Sequence, residues 1–156
     1  MRLIVTTDSH GRKGSIFDIA ERHIDNMDLF LNLGDCNNGR DLEEAQQFFG
    51  ARLKLKAVCG NCDWGSDLPA VERFSAEGAQ VLMCHGHTLY VKHGLEMLEQ
   101  AAQKSGANLV LFGHTHTPYY SYENGMHIFN PGAVQDGRYG IVDITPSGII
   151  CIHANI

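Results

Sequence analysis

The chain is short of basic residues, of regularly spaced cysteines and of long apolar runs, and each shortage excludes something. Twelve lysines and arginines stand against eighteen aspartates and glutamates, a formal net charge of −6. Binding to a nucleic-acid polymer is dominated by phosphate neutralisation, so this balance disfavours such a partner. It leaves room for a small phosphodiester held by bound cations, which reverse the local sign of charge. No apolar run approaches the roughly 20 residues that span a bilayer, which argues against a membrane partner. The opening MRLIVTTDSHG turns polar too early to hold the apolar core of a signal peptide. Five cysteines without regular spacing do not form a secreted disulfide framework. These absences point to a cytoplasmic protein with reduced thiols.

What is present fits one domain over residues 1–156, with no linker, repeat or low-complexity segment. RLIVTTD is a β-branched apolar run that ends in a polar loop, which predicts a buried strand. Ser15 is placed to cap a helix to about Asn26, with Ile16, Ile19, Ala20, Ile24 and Met27 on one face. DLFLNLGD reads as a second strand. Asp41 would cap a helix that Gly50 stops, and KLKAVCGNCD reads as a third strand. This β-α-β-α-β order favours a parallel sheet with helices on its faces. Further on, RFSAEG and AQVLMCHGH read as a strand pair joined at Glu77-Gly78. A helix over residues 95–105 and a buried strand, NLVLFGH, follow. The tail runs PYYSYE, MHIFN, YGIVDIT and IICIHANI, separated by turn signals, read as antiparallel strands. Two stacked sheets in one α/β domain are the simplest architecture.

The strand ends carry the chemistry. Asp8 and His10 follow the first strand, Asp35 the second, and Asn61 and Asp63 the third. His85 and His87 follow VLMC, and His114 and His116 follow LVLF. The carboxyl ends of parallel strands in an open α/β sheet converge on one crevice, where ligands bind. Alternation along an extended segment puts both side chains of Asp-x-His or His-x-His on one side. A mixed Asp, Asn and His set suits Mn²⁺, Fe²⁺, Co²⁺, Ni²⁺ or Zn²⁺. Seven candidate ligands (Asp8, His10, Asp35, Asn61, His85, His114 and His116) exceed what one ion with an open position needs. Two divalent ions, manganese first, about 3.5–4 Å apart and bridged by one carboxylate, use them efficiently. Asp35, the lone acid on its strand end, is the expected bridge.

At these residues the sequence resembles the calcineurin-like metallophosphoesterases, through DSHG at 8–11, GD at 34–35, GNCD at 60–63, HG at 85–86 and GHTH at 113–116. NPGA at 130–133 resembles a turn of the small bacterial and archaeal members. The resemblance implies a four-layer αββα sandwich and a phosphodiesterase whose metal-bridging hydroxide attacks phosphorus. It assigns Asp8, His10, Asp35 and His116 to one ion, and Asp35, Asn61, His85 and His114 to the other. Where many members carry histidine in the third block, this chain has Cys62, a weaker acid at neutral pH. Catalytic candidates are thus Asp35, Asn61 and His85, with Asp63 orienting a neighbour and Cys62 or His87 meeting the leaving group.

Alternatives stay in view. The same fold serves phosphomonoesterases and protein phosphatases, and a retromer subunit uses it as a scaffold. Cys36 and Cys84 read as buried packing residues, and His23 and His93 as surface residues. Trp64, Leu68, Tyr119, Tyr120 and Tyr122 are open between pocket wall, subunit contact in a homo-oligomer, and ordinary packing.

Overall fold

Strand and helix alternate through the first third of the chain. The computed structural model describes residues 1–156, beginning with β1 (Arg2–Thr6), α1 (Lys13–His23), β2 (Leu29–Asn32), α2 (Arg40–Phe49) and β3 (Leu55–Ala57). β1, β2 and β3 pair in parallel. The chain then enters a second sheet through β4 (Val71–Ala76), β5 (Ala79–Cys84), α3 (Glu96–Ser105), β6 (Leu109–Leu111), β7 (Tyr119–Glu123) and β8 (Met126–Asn130). It returns to the first as β9 (Arg138–Thr145) and β10 (Gly148–Asn155). The sheet orders are β10-β9-β1-β2-β3 and β4-β5-β6-β8-β7.

Side-chain alternation explains the layering. Leu3, Val5, Leu29 and Leu31 meet Val81, Met83, Leu109 and Leu111 between the sheets. Ile4 and Phe30 point the other way, against Ile16, Ile19 and Ala20 of α1 and Leu42 and Ala45 of α2. Leu82 and Val110 likewise meet Leu98 and Ala102 of α3. Strands buried on both faces read as continuous apolar runs, which is why RLIV and LVLF lack alternation in the sequence. Each large side chain enclosed here contributes roughly 1.5–3 kcal/mol. The result is the expected four-layer αββα arrangement. No helix is long and apolar enough to cross a membrane.

Some local expectations need correction. α1 starts at Lys13, ahead of Ser15, and has no side-chain cap. The Arg12 N–H donates to Ser9 O at 2.9 Å, so the loop itself starts the helix. The helix ends at His23, whose carbonyl accepts from the N–H groups of both Asn26 and Met27 in a closing turn. α2 begins behind a left-handed Gly39, which puts Asp41 inside the first turn, while Gly50 does terminate the helix. The tail is not wholly antiparallel, because β7 folds back as a hairpin and returns β8 parallel to β6. His23 is buried, its Nε2 lying 2.9 Å from Tyr139 Oη.

Candidate metal centre

The loops after β1, β2, β3, β5 and β6 meet at one end of the sandwich and bring all seven candidate ligands together. Asp8 is fully buried. Its Oδ2 accepts from Thr7 Oγ1 at 2.8 Å and from the His114 N–H at 3.0 Å, which fixes the carboxylate plane. Its Oδ1 is buried with no hydrogen-bond partner. That oxygen lies 3.1 Å from His116 Nε2 and 3.8 Å from Nε2 of both His10 and His85. A buried carboxylate oxygen left unpaired among imidazoles is costly. A cation at that point removes the cost, so the residues fit a metal ion.

The donors fall into two groups. On one side, Nε2 of His10 and Nε2 of His116 are 3.3 Å apart beside Asp8. On the other, His85 Nε2 lies 3.1 Å from Asn61 Oδ1 and 3.2 Å from His114 Nδ1. Asp35 lies between them, its Oδ2 3.7 Å from His10 Nε2 and 3.5 Å from His85 Nε2. Its Oδ1 accepts from the Cys62 N–H at 2.8 Å. Burial opposes ionisation of Asp35, but the hydrogen bond and charge of His85 and the Cys62 N–H outweigh it and hold the pKa well below the usual carboxylate range.

Tautomers follow from the bonds behind the rings. His85 Nδ1 lies 2.7 Å from Leu33 O, which can only accept, so Nδ1 carries the hydrogen and the Nε2 lone pair faces the centre. His116 Nδ1 lies 2.8 Å from the Gln135 side-chain amide. The amide atom nearest Nδ1 is Gln135 Nε2, a donor, so for His116 Nε2 to face a cation the amide must turn to offer its oxygen to Nδ1. Burial works to lower the pKa of His85, but Asp35 and Asp8 raise it overall. For His114, burial and then the charge of His85 push it down to about 4.

Much of this rim is strained. Asp8, His10, Asp35, His114 and His116 have φ of 53°, 45°, 55°, 68° and 60°. A left-handed conformation costs a non-glycine residue roughly 1–3 kcal/mol and persists where the surroundings enforce it. Two glycines allow the close packing. A Cβ on Gly60 would collide with the Asp35 carboxylate, and one on Gly113 with the Thr7 hydroxyl.

The remaining candidates lie around the donors. Asp63 is buried behind them and accepts four backbone N–H groups: Asp35 at 2.7 Å, Gly60 at 2.8 Å, Asn38 at 2.9 Å and Cys36 at 3.0 Å. It ties two loops together and is not brought into the cluster. Cys62 is brought in, one donor atom each of His10, Asp35 and Cys62 lying within 4.8 Å of one another. Burial, then the Asp35 carboxylate, push the thiol up to about 11. His87 lies beside the cluster, its ring tilted, with its centroid 5.4 Å from that of His85 and 6.2 Å from that of His114. Its Nδ1 is buried without a partner, and burial and the charge of His85 lower its pKa.

Trp64 is 83% exposed beside Asp63, and Leu68 packs beneath α2. Tyr120 and Tyr122 gather around His127 on the edge hairpin instead of the donors, with Tyr120 Oη 3.1 Å from His127 Nδ1. Thr7, Leu33 and Gln135 escaped sequence reasoning. Their roles depend on contacts across the fold, and only the nearby NPGA turn marks Gln135 at all.

Comparison with known proteins identifies the family and the fold. Residues 1–145 match the family model described as the calcineurin-like phosphoesterase superfamily domain. A probable metallophosphoesterase of Bacillus subtilis, YsnB, is 29% identical over 135 residues, covering 86% of this chain and 76% of that protein. A solved structure described as a novel archaeal phosphodiesterase superposes with a TM-score of 0.78 at 19% identity, covering 99% of this chain and 100% of that one. Vps29 of Entamoeba histolytica, solved with zinc, gives 0.75 at 15% identity and covers 99% of each chain. The chain belongs to the calcineurin-like phosphoesterase superfamily.

Proposed function

We propose that this metal-dependent phosphoesterase is a dinuclear phosphodiesterase acting on a small phosphodiester. The observation that carries the reading is the place of Asp35, whose Oδ2 lies 3.7 Å from His10 on one side and 3.5 Å from His85 on the other. Asp8, His10 and His116 would hold one ion, Asn61, His85 and His114 the other, and Asp35 both. Divalent cations there would supply Lewis acidity toward a phosphoryl oxygen and lower the pKa of water. A mixed oxygen and imidazole set admits manganese, our first choice of occupant, along with iron, cobalt, nickel and zinc.

The protein's own groups do the rest. Asp63 and the Leu33 carbonyl hold Asp35 and His85 in place. Asn61 turns its carbonyl toward His85 and its Nδ2 toward the exposed side, beside Cys62, where a phosphoryl oxygen would meet it. Burial and the charge of His85 lower the pKa of His87, which suits it to hydrogen-bonding a phosphate oxygen more than to protonating a leaving group. With a thiol at 62, departure rests on the leaving group's own acidity. A net charge of −6 also penalises a dianionic monoester more than a monoanionic diester. The archaeal phosphodiesterase that shares this fold supports the same choice. A complete donor set favours catalysis over the scaffold reading that the Vps29 likeness raises.

Turnover of a bis-aryl phosphate and of the matching aryl monophosphate, with Mn²⁺ or Ni²⁺, tests this. The diester should lead, with a steep dependence on leaving-group pKa. No turnover by protein that holds two ions would overturn the reading, and monoester preference would replace the diester by a monoester substrate.

A further inference from the structure

Cys62 has no packing reason to be a cysteine. Free cysteine is among the most buried residue types, and Cys36 and Cys84 are buried here while Cys59 and Cys151 are half-buried. Cys62 alone is exposed. It follows Asn61 directly, and its backbone N–H is pinned to Asp35 Oδ1 at 2.8 Å. Its Sγ is held in reach of the Asp35 carboxylate and the His10 imidazole, all three donor atoms lying within 4.8 Å of one another. Two ligands on one ion, with sulfur at about 2.3 Å and nitrogen at about 2.1 Å, are roughly 3.3–4.4 Å apart. The three atoms need only a small closure to share a cation. An independent observation points to a cation at that end: Asp8 Oδ1, fully enclosed and without a partner, faces His10 Nε2 at 3.8 Å.

We propose that Cys62 is a sulfur ligand of the ion held by Asp8, His10, Asp35 and His116. The inference rests on the metal-centre reading and adds selectivity to it. Oxygen and nitrogen donors admit manganese, whereas one thiolate shifts the balance further toward the thiophilic Fe²⁺, Co²⁺ and Zn²⁺. On ligation the S–H bond breaks, its proton passes to the buffer, and the sulfur lone pair forms the metal bond. The position that carries histidine in many members of this superfamily would here serve the metal instead of the leaving group.

Cobalt reports sulfur ligation by a near-ultraviolet sulfur-to-metal absorption that oxygen and nitrogen ligands do not give. Titration of Co²⁺ into metal-free protein should produce that band in the wild type and in Cys59→Ser, but not in Cys62→Ser. The Zn²⁺ to Mn²⁺ affinity ratio of Cys62→Ser should fall roughly tenfold. Two bound cobalt ions without the band in the wild type would overturn the sulfur ligand while leaving the metal centre intact. A band that persists in Cys62→Ser would overturn it equally. No cobalt bound by the wild type would overturn the metal-centre reading, and this inference with it. If Cys62→Ser does not fold, X-ray absorption on the wild-type zinc protein decides, through a sulfur scatterer at about 2.3 Å or nitrogen and oxygen alone.

Discussion

The middle of the sandwich and its metal-facing rim are built on opposite terms. Between the sheets, Leu31, Met83, Leu109 and Phe129 are fully enclosed in regular strands, where burial itself is the gain. At the rim, buried Asp8, Asp35 and His85 crowd together, and five of the candidate ligands sit in the left-handed region. The middle stabilises the fold, and the rim draws on that stability to hold an unfavourable arrangement ready for cations. Substitution in the middle should therefore cost mainly stability, and substitution at the rim mainly metal binding and turnover.

The largest effect should come from Asp35→Asn. Diester turnover should drop by about three orders of magnitude or more, because the carboxylate proposed to bridge two ions is lost. Thermal melting of the metal-free protein should fall only modestly, because the charge that His85 and the Cys62 N–H favour is lost while Asn can still accept from that N–H. A marked loss of metal-free stability would break the comparison by making Asp35 a structural residue. Next comes Phe129→Ala, which should cost about 3–5 kcal/mol in denaturant unfolding. That cost should be the same with and without metal, and a metal-dependent cost would show that core and rim are coupled.

Much of the middle was readable from the sequence and much of the rim was not, for a physical reason. Apolar runs such as RLIV and LVLF mark doubly buried strands because burial has no direction. The candidate ligands were readable as residue types at strand ends, Asp35 as the lone acid on its own. What was hidden depends on contacts between segments distant in sequence. Asp63 gathers N–H groups from the loop after β2, His85 takes its tautomer from Leu33, and His116 is backed by Gln135. His23 looked like a surface residue because nothing local shows that Tyr139 lies over it. The helix starts were misplaced because backbone bonds in the preceding loops, not Ser15 or Asp41, set them.

Two smaller tests sharpen the contrast. Gln135→Leu leaves His116 without its hydrogen-bond partner and should weaken metal binding by roughly 10–100-fold, with melting nearly unchanged. Isothermal titration with Mn²⁺ measures it, and unchanged affinity would remove Gln135 from the centre. The smallest effect belongs to His23 under α1, away from the rim. Burial lowers its pKa below the ordinary 6.5, so the native state binds fewer protons than the unfolded chain as pH falls. Its contribution is complete above about pH 6.5 and is lost as pH drops from there toward the folded value. His23→Gln should flatten that part of the stability profile, measured by denaturant unfolding from pH 7.5 down to 5 in metal-free protein. An unaltered slope would assign the acid sensitivity to other groups.

The central claim is that one carboxylate, Asp35, joins two ions. Manganese titration of the metal-free protein, read by elemental analysis and electron paramagnetic resonance, tests it most directly. Two ions per chain with an exchange-coupled signal, uncoupled in Asp35→Asn, are predicted. A single ion, or two that show no coupling, would contradict it.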